Sequence, residues 1–229
     1  SWMTNQNVLS QIRVRLPYTL LIGLLSVLVS VVIGIPLGIL AATNQYTWKD
    51  SLAIFMSLFC VSMPQFWFAL ILVMIFALRL GILPPVGIKT WTGYVLPIVS
   101  TAVGAIANIA RQTRSSMLEV ISQDYITTAR AKGQKERNVI YRHALRNALN
   151  PIITIVGGIV AGVLGGTMVT EQIFSIPGIG SYLLTAVSAR DYPVIRGSVL
   201  VISIIFCLCM LLVDIMYVIV NPRMASELK

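Results

Sequence analysis

Five stretches of this 229-residue chain are too long and too apolar for an ordinary water-soluble fold. A bilayer's hydrocarbon core is about 30 Å thick and takes about 20 mostly apolar residues as helix, because a backbone N–H or C=O cannot be left unpaired in hydrocarbon. The first stretch, 16–42, contains no charge, and Pro36 between Gly34 and Gly38 is expected to loosen its last turns. The second, 51–78, is also uncharged, with Pro64 placed to kink it near its middle. The third, 95–110, is the shortest and ends at Arg111 and Arg114. The fourth, 151–169, opens on Pro151, which suits a first helical turn. The fifth, 194–220, is interrupted by Arg196 near one end and Asp214 near the other. The expected fold is therefore all-α and integral to the membrane, a polytopic helix bundle in one domain over 1–229.

Composition excludes the soluble alternative. Hydrophobic residues make up 57% of the chain and charged residues only 11%, whereas a soluble domain carries about a quarter charged residues. Mean hydropathy is +0.86. The net charge of +9, from 17 Lys and Arg against 8 Asp and Glu, suits nucleic acid or the cytoplasmic side of a membrane protein. Its position decides. Between Arg111 and Arg146 stand eight basic residues (Arg111, Arg114, Arg130, Lys132, Lys135, Arg137, Arg142, Arg146) and three acids (Glu119, Asp124, Glu136), in a loop joining two spans. We place that loop in the cytoplasm and expect no nucleic acid. Alternation then puts 43–50 and the C-terminal tail inside, and the N-terminal segment, 81–93 and 171–193 outside. The chain opens on a polar amphipathic stretch rather than a charged-then-apolar leader, so a further span upstream is expected.

The loop 111–150 is too long for an idle connection and has helical character. Asp124 is placed to cap a short helix through Asp124-Tyr125-Ile126-Thr127-Thr128-Ala129-Arg130-Ala131-Lys132, and Gly133 to end it. From Gln134 a second helix sets Val139, Ile140, Ala144, Leu145, Ala148 and Leu149 along one face, with Lys135, Arg137, Arg142 and Arg146 in its polar remainder. Two short helices with a glycine between them make a projecting knob. Ala129, Ala131 and Gly133 would let a partner's backbone approach closely, in a groove of a partner protein. The competing reading is a basic amphipathic helix lying on anionic lipid.

This loop, with Thr113-Arg114-Ser115-Ser116-Met117-Leu118 and His143-Ala144-Leu145-Arg146-Asn147-Ala148-Leu149-Asn150-Pro151, resembles the membrane subunits of bacterial ABC importers, above all the dipeptide, oligopeptide and nickel permeases. Further marks of the resemblance, in order, are Arg15-Leu16-Pro17, Met63-Pro64-Gln65-Phe66-Trp67, Leu83-Pro84-Pro85, Ile176-Pro177-Gly178-Ile179-Gly180, Ala189-Arg190-Asp191-Tyr192-Pro193 and Asn221-Pro222-Arg223. The resemblance implies a permease subunit of the bacterial inner membrane whose coupling helix docks into a cytoplasmic ATPase. The residues implied at that contact are Asp124, Tyr125, Thr128, Ala129, Ala131, Lys132 and Gly133. It also implies a second permease subunit, two ATPases that bind ATP and Mg, and an external solute-binding protein, with peptide favoured over nickel or glutathione as cargo. The chain departs from the family's short signature: Thr127 and Thr128 stand at the acid and first-alanine positions, and the later proline appears only at Pro151. It is similar to the longer form of the peptide and nickel branch.

Other features carry two readings each. Gly158, Gly162 and Gly166, with Gly157, Ala161 and Gly165 beside them, make a smooth helix face, for close packing or for a pore-lining surface that slides. Asp214 is an ion site of a secondary carrier or a hydrogen-bonded acid near the cytoplasmic end. His143 is read as interfacial. Cys60, Cys207 and Cys209 lie in apolar runs without metal-ligand spacing and are expected as buried thiols. Trp48, Trp91 and Tyr94 suit interfacial anchors, and Trp67 an internal position. No phosphate loop, catalytic set, selectivity filter or internal repeat is legible. Neither a metal site nor substrate-contact residues are assigned, and this chain is expected to bind no cofactor of its own.

Overall fold

The computed structural model describes residues 1–220 and, except at 164–166 and 216–220, their side chains. All regular structure among the described residues is helical: α1 Val8–Thr43, α2 Trp48–Ser62, α3 Gln65–Leu72, α4 Val95–Ile121, α5 Asp124–Ala131, α6 Glu136–Asn138, α7 Leu145–Ile173, α8 Ile179–Ser188 and α9 Tyr192–Val220. π-helical turns extend α3 over Val73–Arg79 and join α6 to α7 over Val139–Ala144, and a 3₁₀ turn at Trp91–Tyr94 leads into α4. Four helical runs are long and apolar enough to cross a membrane, and α2 with α3 makes a fifth if that pair counts as one span.

The element boundaries differ from the sequence expectation in ways that hydropathy cannot see. The first helix begins at Val8 because Asn7 caps it, its Oδ1 accepting from Leu9 N–H at 2.9 Å. It runs without interruption past Pro36 to Thr43. At 36 residues it is about 54 Å long. The expected kink at Pro64 is a 101° bend: Pro64 holds φ −60°, ψ 132°, and Gln65 starts a new helix. The third and fourth spans continue into the basic loop as α4 and α7, and Pro151 lies inside α7 rather than at its start. Gly165 and Gly166 fall among the side chains outside the description, and Asn221-Pro222-Arg223 lies beyond the described residues altogether.

Contacts within the chain gather into two compact units, each drawn from three segments: 1–29, 63–103 and 159–211 in the first, 30–62, 104–158 and 212–229 in the second. Of the last segment only 212–220 is described. The first unit has an apolar core of Ile22, Ala69, Leu72, Leu96, Phe174 and Ile176. Beside it Glu171 is wholly buried. Burying a carboxylate is tolerable only with donors on it, and Glu171 has them: the Thr19 hydroxyl at 2.6 Å and Ser181 N–H at 2.8 Å. Thr19 Oγ1 in turn accepts from Ile179 N–H at 2.9 Å. The carboxylate thus caps the N-terminus of α8, where free N–H groups favour an anion. A Cβ on Gly178 would overlap the Glu171 carboxylate, which explains the glycine in Ile176-Pro177-Gly178. Asp191, 4% exposed, accepts from the Ser1 hydroxyl and from Trp2 N–H at 3.2 Å. These donors, the hydroxyl first, hold its carboxyl below the usual aspartate range. Gln65 joins α3 to Thr101 of α4 and Thr170 of α7.

The second unit closes on Ile39, Ala42, Met117, Ile126, Ala129, Val139, Ile140, Ala144, Ala148 and Ile152. Its helices approach closely: a Cβ on Gly38 would lie 2.5 Å from the Ala110 carbonyl oxygen, and one on Gly34 2.9 Å from Ile109 Cβ. Asp50, 3% exposed, accepts a forked pair of bonds from Arg114, Nε at 2.5 Å and Nη2 at 2.8 Å. It also accepts from the backbone N–H of Tyr46 at 3.2 Å. Within this unit Gly157 packs hard against Val213, whereas a Cβ on Gly158 would meet nothing within 4 Å. In the first unit Gly162 is equally open. Close packing inside the chain thus accounts for Gly157 alone of these three.

Surfaces of both units carry large apolar side chains. Leu21, Leu24, Leu28 and Val32 form an exposed stripe at helical spacing on α1, and Leu200, Ile204, Leu208, Leu211 and Leu212 do so on α9. The thiols follow this pattern rather than the expected burial: Cys207 is exposed, and Cys60 and Cys209 are half-buried. An apolar run in lipid need not turn its side chains inward. Trp67, expected inside, is exposed for the same reason.

Three outcomes test this packing. Asp50→Ala strands Arg114 without its carboxylate and should lower stability in detergent by about 3 kcal/mol, read as a fall in the thermal midpoint, with Asp50→Glu intermediate. Gly178→Ala should cost about 1–3 kcal/mol as an overpacking change, whereas Gly162→Ala should be near neutral in the isolated chain. Asp191's contribution is fully present above the ordinary aspartate pKa and lost as pH falls through its lowered value. Hydrogen-exchange protection at Trp2 and Met3, relative to the intrinsic rate at each pH, should therefore fall on acidification and be absent at all pH values in Asp191→Ala.

Candidate functional site

The basic loop folds as a short helix held between two long ones. α4 ends at Ile121, and Gln123, extended at φ −77° and ψ 147°, takes the N-cap position with no side-chain bond. Asp124 is consequently the first helical residue rather than the expected cap, and its charge lies where the free N–H groups of α5 favour an anion. The end of α5 is as expected and complete. Gly133 has φ +74°, its N–H donates to Arg130 O at 2.9 Å, and Gln134 N–H donates to Ala129 O at 3.3 Å. These two bonds and a left-handed glycine form a Schellman closure. No residue with a Cβ adopts that φ without strain.

Helical spacing divides the α5 residues into two sets. Ile126 is fully buried and Ala129 is 8% exposed, both in the core with Met117, Val139 and Ala144. Ala129, three positions after Ile126, lies on the same inward face. Asp124, Tyr125, Thr127, Thr128, Ala131, Lys132 and Gly133 are exposed. Two of these are engaged within the loop. The Tyr125 hydroxyl accepts from Asn147 Nδ2 of α7 at 2.9 Å, and the Thr128 hydroxyl donates back to Asp124 O at 2.9 Å. The open surface is thus Asp124, Thr127, Ala131, Lys132 and Gly133 with the Tyr125 ring.

A second clasp closes the turn after α5. Arg130 donates from Nε at 3.2 Å and Nη2 at 2.8 Å to the Glu136 carboxylate. This hydrogen-bonded guanidinium holds the Glu136 carboxyl below the usual glutamate range, and the Arg130 pKa is raised in return. His143 shares a 2.9 Å hydrogen bond with Gln134 Oε1. The expected apolar face of the second helix is present at Val139, Ile140, Ala144 and Ala148, all buried, while Leu145 and Leu149 are half-buried. Lys132, Lys135, Arg137, Arg142 and Arg146 all stay exposed. Sequence reasoning did not find the Tyr125–Asn147 bond, whose partners are 22 residues apart. The helical register of Ile126 and Ala129 was a readable sign that Ala129 turns inward. Asp214, the candidate ion site, is exposed on α9.

Comparison with known proteins agrees with this architecture. A family model described as the binding-protein-dependent transport system inner membrane component matches residues 34–226. The dipeptide transport system permease protein DppB of Alkalihalophilus pseudofirmus is 40% identical, over 97% of this chain and 75% of its own length. The oligopeptide transport system permease protein AppB of Bacillus subtilis is 41% identical, over 93% of this chain and 70% of its own. The glutathione transport system permease protein GsiC of Escherichia coli is 38% identical, over 97% and 72%. Among solved structures, an inward-facing chain of the MetNI methionine ABC transporter superposes with a TM-score of 0.76. That match has 18% identity over 93% of this chain and 97% of the other, a likeness of fold. With the family model matched over most of its length and permease relatives near 40% identity across it, this multi-pass chain belongs to the inner-membrane permease subunits of binding-protein-dependent ABC importers.

Proposed function

We propose that this chain forms half of the translocation path of an ATP-driven peptide importer and that α5 is its coupling helix. The observation that carries the coupling role is the division of α5. Ile126 and Ala129 anchor it in the core shared with α4 and α7, while Asp124, Ala131, Lys132 and Gly133 stand free on the opposite side. A helix tied on one face and bare on the other transmits a push from a partner into the helices that anchor it. The proposed contact set is Asp124, Tyr125, Thr128, Ala131, Lys132 and Gly133, without Ala129.

Four kinds of partner complete this reading: a second permease subunit, two cytoplasmic ATPases that bind ATP and Mg, an external solute-binding protein, and the surrounding lipid. ATP hydrolysis belongs to the ATPases. The basic loop lies in the cytoplasm, following the rule that short loops rich in Lys and Arg stay inside. ATP drives the cycle only through its unequal affinity for the ATPase arrangements that accompany inward-facing and outward-facing permeases. Peptide is the favoured cargo, since relatives near 40% identity are dipeptide and oligopeptide permeases. The glutathione permease at 38% fits the same chemistry, glutathione being a tripeptide; nickel would be the departure.

Ala131→Trp puts bulk on the exposed face without touching the core. In the complete complex in lipid vesicles it should cut uptake and transport-linked ATP hydrolysis by about tenfold or more, with the thermal midpoint of the permease unchanged. Gly133→Val strains the cap and should do the same with some loss of stability. Copurification of ATPases and a second permease with the wild-type chain, quantified by mass spectrometry, checks the assembly. Normal uptake in Ala131→Trp would remove α5 from the coupling contact.

A further inference from the structure

Within the first unit, three neutral polar side chains from three helices meet beside its apolar core. Gln65 is the first residue of α3, set there by the extended conformation of Pro64. Its Nε2 donates to Thr170 Oγ1 at 2.8 Å and lies 3.3 Å from Thr101 Oγ1. The two hydroxyls bond to each other at 3.2 Å. Thr170 is 1% exposed, so one end of the carboxamide is held from a buried position. The other end, Oε1, has no partner among the described residues, and Gln65 is only half-buried.

Fixing a glutamine amide between two hydroxyls costs side-chain freedom, and a free amide end in an apolar segment costs solvation. Holding helices together would need neither a free end nor partial exposure. With its N–H groups directed at the two threonine hydroxyls, the open Oε1 can only accept, and it matches a neutral cargo group that donates, as a peptide N–H does. A site of this kind selects by hydrogen bonding, because a cargo lacking the partner group leaves a polar atom unmet. Non-helical backbone is tolerated at membrane depth where it is buried in protein or lines a water-filled cavity. The 101° break between α2 and α3 falls at Pro64, immediately before Gln65.

We propose that Gln65, braced by Thr101 and Thr170, contacts the peptide groups of the cargo as it passes through the permease. This rests on the peptide-importer reading, and the experiment separates the two. Complete complex in vesicles, with its binding protein, is assayed for uptake of a dipeptide and a tripeptide by wild type, Gln65→Leu and Thr170→Val. Because the binding protein sets external affinity, Gln65→Leu should leave half-saturation unchanged and lower the maximal rate about tenfold, the scale of one lost hydrogen bond. Thr170→Val should give a smaller loss. The thermal midpoint should stay at the wild-type value. In a background with Cys60, Cys207 and Cys209 changed to Ser, the thiol of Gln65→Cys should be labelled by a small methanethiosulfonate, and more slowly during peptide turnover. Wild-type uptake in Gln65→Leu, or a rate loss matched by a lowered thermal midpoint, overturns the contact while leaving the importer reading intact. Failure of wild type to move either peptide, with turnover of another cargo, overturns the peptide reading and this inference with it.

Discussion

A backbone N–H or C=O left unpaired in hydrocarbon costs several kcal/mol, and the rest of the structure depends on that cost. It makes helix the only regular structure among the described residues. It also makes interruptions expensive, so each needs a local remedy. At Pro64 the chain stops one helix and starts another, the Pro64 carbonyl accepting from Phe68 N–H at 3.1 Å. At 122–123 and 132–135 it breaks outside the apolar runs, where water and the Gly133 closure meet the freed groups.

Charge obeys the same accounting. Asp50, Glu171 and Asp191 are all buried, and each sits among donors: a guanidinium fork and an amide on Asp50, a hydroxyl and amides of α8 on Glu171, the first residues of the chain on Asp191. These acids fasten helices at points where apolar contact alone leaves the register open. Basic residues mostly stay exposed on the loop between α4 and α7.

The segment around α5 shows how far local reading reaches. Gly133 was legible as a helix end because a left-handed cap is a property of a few consecutive residues. Asp124 was displaced by one position from the cap to the first turn, within the ordinary imprecision of a helix start. Ala129 is buried by register: three residues from Ile126, it shares the inward face. Tyr125 and Asn147, like Thr19 and Glu171, meet only through the fold, 22 and 152 residues apart, and nothing local in either partner signals the other.

The sequence by itself determined that this chain crosses a membrane several times as helix, which loop carries the basic charge, and where the short helix within that loop ends. These follow from hydropathy and hydrogen bonding counted along a single segment, with no partner required. Tertiary structure decided which apolar faces turn inward, that Cys207 and Trp67 turn outward, and which distant donors hold Glu171 and Asp50. When lipid and protein interior are both apolar, a hydrophobic residue carries no mark of which it will meet. Only the packing of one helix against another settles that choice.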